Sequence, residues 1–127
     1  MKIAALVARY LLGLMFLLFS LNGLHPFLPM PPLPEGLAGQ FMGALMQSHY
    51  AEAVAVIELV AAVLLVVNRF VPLGLTLLAP ILVNIILFHV FMAPATIAPG
   101  LVAVVLWVIV ALRYWKYFAP FLIARAD

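Results

Sequence analysis

The stretch VPLGLTLLAPILVNIILFHVFM, residues 71–92, contains no Asp, Glu, Lys or Arg. About 20 such residues are needed to cross a bilayer as a helix, whereas a barrel strand reads as a shorter segment of alternating polarity. No alternation occurs, so the stretch reads as a spanning helix. The rest of the chain shares its character. Of 127 residues 69% are hydrophobic and 8% charged, and the mean hydropathy is +1.33, against roughly 45–50% apolar content in a soluble domain.

Outward from this helix, three further apolar segments occupy about 3–24, 51–67 and 98–117. Together they predict an all-α, integral membrane four-helix bundle, forming a single transmembrane domain over 1–127. The first segment is long, contains Arg9 and ends in Ser-Leu-Asn-Gly without a small-x-small cleavage pattern, so it reads as a retained helix rather than a signal peptide.

The connections set the topology. Lys2, Arg9, Arg69, Arg113, Lys116 and Arg125 all fall on the side shared by the N terminus, the second connection and the C terminus. The positive-inside rule then places both termini in the cytoplasm, with the cluster from Arg113 to Tyr117 as an interfacial belt. The pI of 9.3 reflects this topology and not nucleic-acid binding, because the basic residues form no patch of that kind.

The long first connection, residues 25–50, faces outward. Its half HPFLPMPPLPEG cannot continue a helix, since proline lacks the amide donor and restricts the residue before it. Its second half sets Leu37, Phe41 and Leu45 at i, i+4, i+8, which predicts a short interfacial helix after an extended proline-rich strap.

The chain has no cysteine, which excludes disulfides, thiolate metal ligation and thiol redox chemistry on the protein itself. No nucleotide-binding glycine pattern, paired-histidine zinc motif or nucleophile elbow occurs, and no metal site is expected. Polar groups within spanning helices are therefore the functional candidates.

Glu58 is the only acid well inside a helix, at about 10 Å depth. Ala51, Ala55 and Ala62 share its face and permit close helix approach. Asn84, measured from the outer end of its own helix, reaches nearly the same depth, so the two are expected to meet. Pro80 should kink that helix and free the carbonyl of Thr76. His89 lies about 140° around the helix from Asn84. Asn22 enters from the first helix at the same outer level, while His25, His49 and Glu52 flank it as secondary candidates. Each also has a plain structural reading: Glu58 as interhelical glue, His89 as a packing residue, His25 as a loop residue. All this polarity gathers in the outer half, which fits a closed outward-facing pocket better than a transport pathway.

The segments ARYLLGLMFLLFSLNGL and FVPLGLTLLAPILVNIILFHVFM, with a Glu midway along the intervening helix and prolines in the outer loop, resemble the DoxX family of small bacterial membrane proteins. The resemblance covers essentially the whole chain. It rests on Arg9, Gly13, Asn22, Gly23, Glu58, Pro72, Pro80, Asn84 and His89. It implies a four-helix bundle in the bacterial inner membrane, with relatives associated with quinone-linked sulfur oxidation and membrane oxidoreductase assemblies.

Three functional expectations follow. The leading one is a quinone- or cofactor-interacting subunit of a membrane oxidoreductase system, with Asn22, Glu58, Asn84 and His89 lining the pocket and the carboxyl and imidazole exchanging protons with a quinone-type head group. The second is a non-enzymatic assembly protein whose polar residues fasten the helices and whose small-residue faces dock a partner subunit or a second copy. The third is a small carrier for a hydrophobic metabolite. No spacing favours haem ligation by His25 or His89.

Overall fold

The computed structural model describes residues 1–126. Its elements, in chain order, are α1 (Lys2–Leu24), α2 (Gly36–Gln47), α3 (Tyr50–Val66), α4 (Val71–Met92), α5 (Ala98–Arg113) and the one-turn α6 (Trp115–Phe118), with 3₁₀ turns at Pro94–Thr96 and Ala119–Leu122. No strand occurs among the described residues.

Four helices pack in a ring: α1 against α3 and α5, and α4 against the same two. α1 and α3 run antiparallel, because Gly13 abuts Leu65 and Val66 while Gly23 lies beside Ala55. Small residues set these approaches. Ala8, Ala61, Ala62 and Ala103 are buried with Leu12, Phe16, Leu75, Leu78 and Val110, so dispersion contacts and close backbones hold the ring together.

The outer surface of the ring is apolar too. Leu14, Phe19, Val56, Val83 and Val105 are exposed, and Phe91 is 74% exposed. Apolar surface this extensive requires a non-aqueous surrounding or a protein partner. α1 and α4 are each long and apolar enough to cross a membrane. α3 and α5, at 17 and 16 residues, reach that length only with the segments bent from them by 79° and 84°.

The turn between α3 and α4 shows why the chain reverses where it does. Asn68 adopts φ 58°, the left-handed conformation that Asn tolerates at a helix end, and the Arg69 amide reaches back to the Leu64 carbonyl. Those two features close α3 and start α4 almost at once. The resulting tight hairpin fixes the register of the pair.

Two expectations are corrected. The fourth segment does not continue to residue 117: α5 ends at Arg113, and the Tyr114 amide is shared between the Val110 and Ala111 carbonyls, a 3₁₀-type tightening that turns the chain sideways. α4 runs as one helix with Pro80 inside it, and the carbonyl near it that receives a donor from another helix is that of Leu75, which accepts Trp107 Nε1–H at 2.9 Å, not that of Thr76. The short helix expected in the outer connection is present as α2, with Ala38 buried, Met42 and Leu45 partly buried, Leu37 exposed and Phe41 stacked on Phe88 of α4. This helix is apolar nearly all round, so periodicity could not choose its face. The small Ala38 permits the close contact.

Candidate functional site

The loop end of the ring, where residues 25–50 and 93–97 connect the helices, carries most of the sequence-derived candidates. Asn22, in the last turn of α1, accepts the amides of Phe27 and Leu28 on Oδ1 at 3.0 and 2.9 Å and directs Nδ2 toward Met30 Sδ at 3.7 Å. It holds the proline strap against the helix end. His25 is exposed, and its amide closes α1 on the Leu21 carbonyl.

His49 and Glu52 form the first turn of α3. His49 stands at φ 64°, and its Nδ1 lies 3.1 Å from Glu52 Oε1, with both side chains largely exposed. Neither side chain hydrogen-bonds a backbone amide of α3; the pair sits just after a sharp bend, and Glu52 stands in the first turn, where the macrodipole favours an acid.

On α4, Asn84 is exposed and donates Nδ2–H to the Pro80 carbonyl at 2.8 Å. His89 is half-buried. Its Nδ1 lies 2.8 Å from the Ile85 carbonyl, and its ring meets Phe88 edge-on, with Phe88 in turn stacked on Phe41 of α2. Those aromatics tie α2 to the end of α4.

Glu58 is half-buried on the stripe of Ala55, Ala62 and Leu65. The α1–α3 contacts at Gly13 and Gly23 put it level with Ser20, which is fully buried and donates Oγ–H to the Leu17 carbonyl at 3.1 Å. The expected meeting of Glu58 with Asn84 does not occur: no hydrogen bond joins them among the described residues. Gly74 packs beside Ala61 and Leu64, which brings Glu58 to the level of Ala79 and leaves Asn84 about 7 Å further along at 1.5 Å per residue. Depth counted from each helix's own end misled, because α4 extends beyond the start of α3 to meet α2.

The structure thus gives Asn22, Asn84 and His89 separate local hydrogen bonds, while Glu58 stands apart from all three, half-buried between α3 and α1. Neither of two cavities in the ring is lined by any of them. One, of about 380 Å³, is an apolar groove between α4 and α5 lined by Leu82, Val83, Ile86, Val104, Trp107 and Val108, among others. The other, of about 320 Å³, lies at the opposite, basic end, where Lys2, Arg9 and Arg113 meet Asn68 and Tyr114. No three His, Asp or Glu side chains among the described residues come together as a metal site requires.

Sequence reasoning missed the main polar contact of the core. Arg9 is 4% exposed. Its Nη1 donates to the Leu65 carbonyl and more weakly to that of Val66 at 3.4 Å, and the guanidinium lies over the Tyr10 ring with its carbon 4.4 Å from the centroid. The carbonyls are those of the last turn of α3, which lack helical partners and carry the negative end of its dipole. An Arg near the start of a helix reads as a snorkelling anchor, so its burial carried no signal in the sequence. Comparison with protein families, with curated proteins and with solved structures finds no match to this chain.

Proposed function

We propose that this chain is a four-helix integral membrane protein similar to the DoxX family, acting in the bacterial inner membrane as a non-catalytic assembly subunit of an oxidoreductase system. In this reading α1, α3, α4 and α5 each cross the bilayer. The basic end faces the cytoplasm, with both termini there, and α2 lies along the outer surface under the proline strap.

The observation that carries the assembly role is the local hydrogen bonding of Asn22, Asn84 and His89, each to atoms within eight residues of itself. Side chains engaged in this way fasten a strap and the loop end of a helix. Glu58 lies level with Ser20 of α1, whose hydroxyl is engaged on its own helix at the Leu17 carbonyl, and a polar side chain held between two helices favours their association over exposure to lipid. The exposed apolar perimeter then remains for lipid and for a partner subunit.

Extraction into polymer-bounded native membrane discs, followed by native mass spectrometry, tests the role. The expected result is the 13.9 kDa chain held in fixed ratio with a different protein subunit. A chain found only alone, or only with copies of itself, contradicts it.

The apolar groove between α4 and α5 favours a second reading, a quinone-interacting subunit. Its lining is hydrocarbon with an indole at one side, the chemistry that suits an isoprenoid tail. Stoichiometric quinone in the purified protein, displaced by Val104→Trp in the groove, is the result that reading requires.

A further inference from the structure

We infer that the cavity at the basic end is a binding site for a phosphate group, supplied by the headgroup of an anionic phospholipid. Three cationic side chains from two helices, Lys2 and Arg9 of α1 and Arg113 of α5, line one cavity of about 320 Å³. No carboxylate lines it, and the only ion pair among the described residues, His49 with Glu52, lies at the other end of the ring.

Arg9 is the fixed member of the set. It is buried, and its contact with the Leu65 carbonyl holds the guanidinium in place while engaging only part of a fork of five N–H donors. A buried guanidinium without a carboxylate favours an anion, and phosphate oxygens match its planar donor geometry. Lys2 and Arg113 are exposed and free to close on the same group. Tyr114 and Asn68 complete the polar wall. The Tyr114 hydroxyl stands 3.5 Å from Asn68 Oδ1, which leaves the Asn68 amide as a further donor.

The surroundings indicate a lipid as the source. Ile3 and Leu6 line the same cavity and are exposed beyond it, so apolar surface runs directly from the cationic cluster to the side of the bundle. Beyond Arg113 the chain turns by 84° and presents Trp115, Tyr117, Phe121 and Leu122 to the outside. Such a segment lies at headgroup level. A phosphodiester there reaches Lys2, Arg9 and Arg113 while its acyl chains follow the apolar flank of α1. Basic pockets between helices on the cytoplasmic side hold anionic headgroups by this combination of charge and access.

The test titrates the full-length protein, in detergent, with phosphatidylglycerol, phosphatidylcholine or inorganic phosphate, and counts bound molecules by native mass spectrometry. One tight phosphatidylglycerol site is expected, weakened at least about tenfold by Lys2→Gln with Arg113→Gln. Both positions are exposed, so the fold is retained, as helical circular dichroism will verify. Removing the same charge from the same end at residues that do not line the cavity, by Arg69→Gln with Lys116→Gln, is expected to weaken binding less than the cavity pair does, through the general surface potential alone. Phosphate binding with the same dependence on the variants, and no preference for phosphatidylglycerol, supports the phosphate site and assigns it a soluble source. Equal binding of the two lipids without phosphate binding, or equal loss in both double variants, overturns the proposal.

Discussion

Two glycines of α1 face the same neighbour, yet replacement by alanine should act in opposite directions. At Gly13 an added Cβ meets Val66 Cγ2 at 2.9 Å, Leu65 Cβ at 3.2 Å and the Val66 amide nitrogen at 3.3 Å. The Val66 methyl can rotate away. The Leu65 Cβ and the Val66 nitrogen cannot move without the backbone, and Leu65 is fully buried. Helix propensity returns up to about 1 kcal/mol on Gly→Ala, while overpacking a close contact costs about 1–3 kcal/mol. Displacing the end of α3 also stretches the Arg9 contact to the Leu65 carbonyl, a charge-assisted bond worth about 1.5–3 kcal/mol when intact. The balance for Gly13→Ala is a loss of about 1–2 kcal/mol. At Gly23 the nearest atom to a new Cβ is that of Ala55 at 3.4 Å, an ordinary contact, so the propensity term dominates and Gly23→Ala is neutral or stabilising by up to about 1 kcal/mol. Reversible unfolding in mixed micelles, followed by far-ultraviolet circular dichroism, measures both. Equal shifts of the same sign would refute the antiparallel register of α1 on α3, since only that register makes one glycine crowded and the other not.

Other perturbations test separate contacts. Arg9→Met should cost about 1.5–3 kcal/mol in the same unfolding assay by leaving the Leu65 carbonyl without its charged donor; Arg9→Lys should recover only part, because an ammonium lacks the planar fork, and a neutral Arg9→Met would remove Arg9 as the cap of α3. Trp107→Phe keeps a ring at the α4–α5 groove but deletes the Nε1–H bond to Leu75, for an expected loss of about 1 kcal/mol; an unchanged midpoint would show that bond to be dispensable. Gly39→Ala drives a Cβ into the Pro34 carbonyl oxygen, so the strap must shift away from α2. Limited proteolysis should then cut faster within residues 26–35 while the helices resist. Unchanged cleavage would place the strap elsewhere.

The course of the chain was legible because its signals are local. The run of residues 71–92 has no charge, and the helix found there is Val71–Met92; the prolines crowded between His25 and Glu35 leave too few amide donors for a helix to continue there. Lys2, Arg9 and Arg113 were grouped on one side by sequence, and the structure gathers them around one cavity. Relations between helices were less accessible. The left-handed Asn68 makes the α3–α4 turn tight, and that tightness, not distance from either outer end, fixes which residue of α4 lies level with Glu58. Asn84 could not be placed without it. Ser20 gave no signal at all, since a lone serine in an apolar helix satisfies itself on its own backbone. Arg9 was visible as a charge but not as a buried one, because its acceptors are carbonyls on another helix and no sequence pattern marks a backbone acceptor.

The proposed role of Asn22, Glu58, Asn84 and His89 as fastenings, not as parts of one reactive pocket, is open to direct measurement through the quinone content of the purified protein. Solvent extraction and a redox difference spectrum give the amount of quinone per chain for wild type and for Glu58→Gln. Fastening predicts an amount far below one per chain and the same in both proteins. Close to one quinone per chain in the wild type, lost in a Glu58→Gln protein that is still folded, would contradict it.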